Sequence, residues 1–474
     1  MGAGVSGLAA AWDLTGGAQG PSAATPRVEV IDSAARVGGC VTTTRFDGDL
    51  VDCGADGFLA RRPEVVQLVK ELAWDDALEP IGASGAWIYL AGHLNPLPSG
   101  LQLGVPTVDA DLRQVTGLSR RARRDLWRDR HFPRSLEVGD DATIGEIVRA
   151  KLGDEIALQF VEPMIGGIQA GRIDNLSAAA VFPALLSAAR RGGSLQKALA
   201  SPAAATPGPT APPATEGPAF YTLRDGVGSL PLELENRLRA RGVIFSLSTP
   251  VTALRRSPTS FYGWEVDTAT TTTPANAVVV ATPPAAAARL TGGLHADLSA
   301  LGGISSASAA MVTLSLDASQ ISLPPTGTGI LVPLGTPFAD ESLMVTAITL
   351  LDRKWPHLRR DGRALVRVHV GRSDDTRFSS LSDDELLARV VVELGVLLGG
   401  CPTPRASLVV RWPNGLPQYH VGHLDLVSKA RAAAAPLHLH LAGNAYDGVG
   451  IPASIGSGRR AGRDALGSLA SSVS

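Results

Sequence analysis

Lysine is scarce in this chain: of the 43 cationic side chains in 474 residues, five are lysine. The arginines are scattered and balanced by 45 acidic residues, and a formal net charge of −2 excludes a basic nucleic-acid binder. Cysteine is rarer still. Cys40, Cys53 and Cys401 form no C-x-x-C pair, and an odd total argues against a disulfide framework, so a reducing, cytoplasmic setting is expected. No run of 18 apolar residues occurs and no charged-then-apolar leader opens the chain, so neither a membrane span nor a signal peptide is expected. The most apolar stretch, Leu386 to Leu398, carries Arg389 and Glu393 one turn apart and reads as an amphipathic helix. No Ser/His/Asp set and no metal cluster stands out. His420 and His423 lack a third ligand at a suitable spacing and are read as structural.

What is present is apolar surface and glycine. The length predicts two or three domains, and 45% apolar with 19% charged residues is an ordinary globular composition. Among the 52 glycines, Gly2, Gly4 and Gly7 form G-x-G-x-x-G directly before a helical run from Leu8. The first glycine permits a tight turn, the second lets backbone amides approach a pyrophosphate, and the third lets helix pack on strand. Ala3, Val5 and Ser6 fill the positions between them. Asp32, 25 residues past Gly7 at the end of the strand-like RVEVID, sits where a ribose-binding carboxylate belongs. Alone the fingerprint is weak, and 52 glycines make a chance match a real alternative; the acid raises it above chance.

The fingerprint stands hard against Met1, where a strand is expected. Such a strand supplies the centre of a dinucleotide-binding sheet, so the native chain is expected to carry several more residues upstream. A remoter alternative is a non-catalytic, flavin-less remnant or binding protein that lacks this strand.

Elsewhere, apolar Val runs ending in small residues (Ala277 to Pro284), RALVRVHV at 363–370 and HLHLAG from His438 read as buried strands alternating with helices, an α/β pattern. Residues 201–219 carry six prolines and almost no large apolar side chain, and read as a flexible loop. The stretch Ser119 to Arg134 interleaves arginine with Leu126, Trp127 and Phe132. Its plain reading is a solvated helix balanced by Asp125 and Asp129; the sharper one is a surface that approaches anionic lipid or an anionic substrate.

Arg36-Val37-Gly38-Gly39, so close behind Asp32, is unusual for nicotinamide enzymes and usual in flavoproteins. IDSAARVGG followed by FDGDLVDCGADGFL resembles the FAD-dependent amine-oxidase-type superfamily, as does LAGNAYDGVGIPASIGSGRRAG from Leu441 to Gly462. Within it, RWPNGLPQYHVGH from Arg411, HLNPLPSG from His93, VEPMIGGIQAG from Val161, DGVGSL from Asp225 and RKWPH from Arg353 resemble the oxygen-dependent porphyrinogen oxidases. The pattern is nearer to the Gram-positive coproporphyrinogen III type than to the mitochondrial protoporphyrinogen type. The resemblance runs through nearly the whole chain in order.

That resemblance implies an α/β fold with a discontinuous Rossmann-like FAD-binding domain (1–86, 220–292 and 404–474). It also implies a mixed-sheet substrate domain (87–107 and 293–403) and a helical insertion (108–200). The implied activity is oxygen-using, six-electron oxidation of coproporphyrinogen III to coproporphyrin III, with protoporphyrinogen IX as the alternative substrate. An amine oxidase or carotenoid desaturase is remoter, since five Tyr are few for an amine-binding aromatic cage. No side chain is expected to be catalytic, the flavin N5 taking hydride while the protein orients the macrocycle.

The implied cofactor contacts are Gly2, Ala3, Gly4, Val5, Ser6, Gly7, Asp32, Ser33, Gly39, Gly54, Ala55, Asp56, Gly57, Val251, Trp412, Gly448, Val449, Gly450 and Ile451. Substrate carboxylates call for partly buried arginines, and Arg61 and Arg62 are the candidates, with Ile168 packing the ring. Gln169 departs from the family pattern, which commonly has an aromatic there. Cys40 is expected to be a small buried thiol. Beyond porphyrinogen and oxygen, contact with a membrane surface or another haem-pathway enzyme is an open expectation; nucleic acid is not expected.

Overall fold

A computed structural model describes residues 1–23, 25–201, 217–257 and 263–471. The first helix, Val5–Leu14, begins inside the glycine fingerprint and buries Leu8, Ala9 and Ala10 completely or nearly so. Alanine and leucine favour helix, and their small to medium volumes let neighbouring elements approach closely. The expected strand behind it forms at Glu29–Ile31 and pairs in parallel with Ile244–Ser246. A second parallel pair joins Val278–Val280 to Leu439–Leu441.

Met1 and Gly2 lie between the two pairs. The Met1 nitrogen donates to Val279 O at 2.8 Å, Ala281 N–H donates back to Met1 O at 2.8 Å, and Gly2 N–H donates to Ile31 O at 2.8 Å. These bonds occupy the centre of the parallel layer, so the fingerprint turn emerges from the middle of the sheet.

The second layer is a seven-stranded sheet. Its order is Ala406–Pro417, Ser306–Asp317, Arg363–Val370, Val345–Leu350, Gly329–Leu331, Trp87–Leu90, His93–Pro96. All neighbours run antiparallel except Gly329–Leu331 with Trp87–Leu90. This is the mixed sheet expected of the substrate region, with one adjustment. Ala406–Pro417 pairs with Ser306–Asp317 from Ser306↔Pro417 to Ser315↔Ala406, so a division at 404 would cut this strand from its partner. The helix Asp383–Leu398 covers the sheet, its Arg389–Glu393 pair formed at 2.5 Å around a fully buried Glu393.

The third body is helical and has its own apolar core, in which Ile144, Ile147, Leu152, Phe160 and Leu185 are wholly buried. Pro163 stands inside the continuous helical run 154–169, where it offers no N–H, and the turn before it, Ala157–Val161, widens to a π-helix. The helix Arg120–His131 corrects one expectation. Asp125 and Asp129 do not face solvent but are 6% and 2% exposed, and Asp129 accepts from Ser194 Oγ and the amides of Leu195 and Gln196, capping the helix Leu195–Ala200. A helix start with four unpaired N–H groups draws an acid inward more strongly than solvation holds it out. Of the proline-rich segment 201–219, residues 202–216 lie outside the described residues.

Candidate functional site

The site begins where the parallel layer ends. Gly2 sits at φ +97°, and a Cβ there would meet Ala281 O at 2.4 Å; at Gly7 a Cβ would meet Gly2 O at 1.9 Å. Gly4 is the contrast: its Cβ would meet nothing within 4 Å. Gly4 is also the N-cap of Val5–Leu14 and supplies no side-chain cap, so the first-turn amides of Val5, Ser6 and Gly7 face an open approach. Two glycines are fixed by the turn and one is kept bare, the arrangement that an anion seat at a helix N-terminus requires.

Asp32 is held in place by backbone. Its Oδ2 accepts from Ala3 N–H at 2.6 Å and its Oδ1 from Ala34 N–H at 2.8 Å. The turn before Val251 is stitched to the same corner, since Thr249 N–H donates to Asp32 O and Ser248 N–H to Ala34 O, each at 2.8 Å. Thus Asp32, the exposed Ser33 and Val251 gather beside the fingerprint. Gly38 and Gly39 close the other side: Gly38 N–H donates to Ala3 O, and Gly39, at φ +60°, stands with its would-be Cβ 3.5 Å from Gly4 Cα.

A second helix N-terminus faces the same way. The helix Ile451–Ser471 packs on the first helix so tightly that a Cβ at Gly458 would lie 2.0 Å from Ser6 O, and one at Gly462 2.7 Å from Ala10 O. The matched four-residue steps mean that the two helices run parallel. Ile451 lies seven residues before Gly458, whereas Val5 lies one before Ser6, so the later helix starts about 9 Å further along at 1.5 Å per residue. Two positive helix ends are therefore stepped along one line, an arrangement that suits a long ligand with negative charge at two places. Gly448 and Gly450 (φ +123° and +98°) shape the loop into the second, and Val449 lies between them. Tyr419 clamps that loop, its hydroxyl accepting from Gly448 N–H at 3.0 Å and donating to Asn444 O. The Tyr419 ring is stacked on His423 at 4.1 Å, and burial lowers the His423 pKa to about 4.

The segment 53–57 comes up to the Gly38-Gly39 turn, where a Cβ at Gly54 would lie 2.9 Å from Cys40 O. Trp412 Nε1 donates to Cys53 O at 2.9 Å, and Arg367, 1% exposed, donates to Asp52 O and to Gly54 O at 3.1 Å. Ala55 is exposed. Asp56 is committed to the protein: Lys354 Nζ bonds it at 2.8 Å, Trp355 Nε1 at 3.3 Å, and Arg367 lies 3.7 Å away. Burial opposes its charge, but Lys354 and Arg367 outweigh burial and hold the carboxyl well below the usual range. Gly57 has no room for a side chain, since its Cβ would meet the Trp355 ring at 2.6 Å. Behind this segment His369 is held neutral, burial and then Arg367 lowering its pKa to about 4.

The structure thus gathers the fingerprint, Asp32, Val251, segment 54–57, Trp412 and 448–451 around one stepped cradle. The substrate candidates fare differently. Arg61 and Arg62 are exposed rather than partly buried, and Arg62 pairs with Glu64 at 2.7 Å, because it caps the helix Pro63–Glu71 where an acid in the first turn draws it aside. Ile168 is 48% exposed on the helix Glu162–Gln169, while its neighbour Gln169 is buried and accepts at its carbonyl from Gln418 Nε2 at 2.8 Å. Cys40 is exposed, not buried, because the turn after Gly38-Gly39 carries it outward.

Buried arginines were missed by the sequence reading. Glu162, fully buried, is met by Arg172 at 2.6 Å and Arg372 at 3.8 Å, and Arg172 also pairs with Asp374. These contacts tie the helical body to the end of strand Arg363–Val370. The available signal was an arginine inside an otherwise apolar strand, as at Arg367, which only a buried partner permits.

Comparison with known proteins follows the same outline. The family described as flavin containing amine oxidoreductase matches residues 5–466. The chain is 31% identical to the coproporphyrinogen III oxidase of Bacillus subtilis (strain 168), covering 98% of this chain and 97% of that one. It is 28% identical to the protoporphyrinogen oxidase of Homo sapiens, covering 98% of each. Among solved structures, one from Exiguobacterium sp. 255-15, described as a candidate protoporphyrinogen oxidase, superimposes with a TM-score of 0.83 at 29% identity, over 98% of this chain and 96% of that one.

Proposed function

The chain belongs to the flavin containing amine oxidoreductases, within their porphyrinogen-oxidase group, and from that premise we propose that it oxidises coproporphyrinogen III to coproporphyrin III with FAD as cofactor and oxygen as acceptor. The observation that carries the reading is the stepped pair of helix N-termini, spaced for a dinucleotide flavin, in a chain similar over its full length to a coproporphyrinogen III oxidase. Three exposed or buried thiols, none of them paired, fit a reducing cytoplasm.

The residues fit the cofactor. The first-turn amides at Gly4 to Gly7 would hold the pyrophosphate, Asp32 the ribose, and the backbone at Val251 the adenine. The loop Gly448–Ile451 and segment Gly54–Gly57 would flank the ring, with Trp412 supporting the latter through Cys53 O. Bound there, the flavin supplies a two-electron acceptor, so removal of six electrons from the macrocycle takes three rounds and yields three hydrogen peroxides. The protein's share is placement. The helix end at Ile451 offers positive potential where negative charge develops. No general base is needed, because a pyrrole N–H can lose its proton as hydride leaves its neighbouring carbon. Arg61 and Ile168, both exposed, would meet the substrate's carboxylates and ring, while Arg62 would have to leave Glu64 to take part.

We group 1–86, 220–292 and the part of 404–474 beyond Pro417 as the cofactor domain. The seven-stranded sheet belongs to the substrate domain, and 108–200 is the helical insertion. Protoporphyrinogen IX is the second reading, supported by the similarity to the human enzyme. The test is anaerobic bleaching of the FAD-loaded chain by coproporphyrinogen III, by protoporphyrinogen IX and by a primary amine, followed by relative aerobic turnover from porphyrin fluorescence. Faster turnover of coproporphyrinogen III supports the first reading. Faster turnover of protoporphyrinogen IX transfers it to the second, and bleaching by the amine alone rejects both.

A further inference from the structure

The strand Arg363–Val370 lies third in the seven-stranded sheet, and seven of its eight residues are buried; His369 alone keeps accessible surface. The opening continues to either side. Directly opposite residues of paired strands project from the same face, and the pairing sets Met311, His369, Ala347 and Leu331 in one row across four strands. All four are half-buried. The adjacent row on the reverse face, Val312, Val368, Ile348 and Ile330, is at most 1% exposed. The sheet is therefore sealed on one side and left open on the other along a single line.

The surroundings of that line are fixed by contacts. Two residues before His369, on the same face, Arg367 donates to Gly54 O at 3.1 Å, which brings the row up to the segment 54–57. Three residues after the strand, Ser373 N–H donates to Ala170 O at 2.7 Å, and a Cβ at Gly167 would meet Leu331 Cδ2 at 3.8 Å. The row thus lies between the segment that would flank the flavin ring and the helix Glu162–Gln169 that carries Ile168. Within it, His369 Nε2 is 3.1 Å from Thr349 Oγ1, and Nδ1 has no hydrogen bond among the described residues. Burial and then Arg367 keep the ring neutral, and a neutral imidazole holds one N–H and one lone pair.

We propose that His369 contacts the porphyrinogen and selects it over the oxidised product, Nε2–H donating to Thr349 Oγ1 and Nδ1 accepting a pyrrole N–H. This rests on the porphyrinogen-oxidase reading above. The selection follows from shape and donor count. In a porphyrinogen the four pyrroles are joined through saturated meso carbons, so the macrocycle puckers and its N–H groups can point out of the mean plane. The aromatic porphyrin is flat and keeps two N–H groups, both turned into its centre. An acceptor facing the macrocycle therefore bonds the substrate and finds no donor in the product. Met311, Ala347 and Leu331 give the same row an apolar surface on which either macrocycle can lie, so the polar contact is what separates them. Oxidation removes the contact, which favours release of the product.

The test uses the full FAD-loaded chain. KM for coproporphyrinogen III is read from porphyrin fluorescence during aerobic turnover, and Kd for coproporphyrin III from quenching of its own fluorescence. His369→Leu should raise KM roughly five-fold, the range for one neutral hydrogen bond, and leave the product Kd unchanged. His369→Gln, whose amide oxygen accepts from nearly the same place, should recover most of the loss. The proposal is overturned if His369→Leu leaves KM unchanged, or if Gln and Leu behave alike. It is equally overturned if KM and the product Kd rise together, or if His369→Leu sheds its flavin, since either result makes the side chain structural. A wild type that oxidises no porphyrinogen would overturn the functional reading and this inference with it, whereas the other outcomes leave that reading standing.

Discussion

At the scale of single residues, the candidate site depends on a few polar atoms that hold backbone in place. Asp32 takes an amide with each oxygen, Ala3 N–H and Ala34 N–H. Asp32→Asn keeps the shape but offers one acceptor in place of two and sets an NH₂ against a donor. A charge-assisted bond contributes about 1.5–3 kcal/mol, so FAD affinity measured by flavin fluorescence quenching should fall by one to two orders of magnitude. Tyr419→Phe removes the hydroxyl that joins Gly448 N–H to Asn444 O. FAD should then bind several-fold more weakly, for a loss of about 1 kcal/mol, while thermal stability of the FAD-free chain changes little. If FAD affinity is unchanged, the 443–450 loop is held by other means. Asp32 was legible in the sequence because its spacing from a glycine fingerprint is fixed by a single βα unit. Tyr419 stands within the RWPNGLPQYHVGH motif, but its role was not legible there, since its hydroxyl acts on a loop 29 residues further along the chain.

At the scale of elements, the first and last helices define the cradle together, and each was visible separately. Their mutual packing was not read, although Gly458 and Gly462 repeat at the four-residue step that brings two helices into backbone contact. Gly458→Ala would place a methyl 2.0 Å from Ser6 O, on backbone that cannot give way cheaply. The helices must part, and the step between their N-termini changes with them. The expected outcome is about 2–3 kcal/mol of lost stability, in the range of overpacked cores, together with loss of FAD retention on gel filtration. Gly467→Ala on the same helix is the control: a Cβ there meets nothing within 4 Å, and the substitution should stabilise by up to about 1 kcal/mol through helix propensity. If both variants behave alike, close helix contact does not govern the site. The strands of the parallel layer were legible because Val runs buried on both faces have few other readings. The membership of Ala406–Pro417 in the antiparallel sheet was hidden, because its pairing with Ser306–Asp317 is set about a hundred residues away by tertiary contact.

At the scale of the whole molecule, near-neutral net charge conceals buried groups that titrate in opposite directions. His369 and His423 both have pKa values lowered to about 4 by burial, from 6.5 when unfolded. The unfolded chain therefore binds protons first as pH falls, so these histidines cost stability progressively from pH 6.5 downward. Asp52 works the other way. Burial raises its pKa from 3.8 to about 6, despite Thr43 and Arg367, so the folded chain gains protons first and Asp52 adds stability as pH falls below 6. At pH 5.5 the linkage relation assigns about 1.4 kcal/mol of loss to each histidine, about 1.7 kcal/mol of loss to the Met1 amino group, whose pKa burial lowers from 8.0 to about 6, and about 0.8 kcal/mol of gain to Asp52, a net loss of about 4 kcal/mol against pH 7.5. Chemical denaturation of the FAD-free chain at the two pH values measures this difference. His369→Gln should reduce the loss by about 1.4 kcal/mol, and Asp52→Asn should enlarge it by about 0.8 kcal/mol. A wild type equally stable at both values would mean that these side chains are hydrated in solution. The same arrangement explains why charge counting could not locate the site. The composition balances to −2, but pairs that tie the bodies together, Asp56 with Lys354 and Glu162 with Arg372, join residues distant in sequence and cancel in any sum.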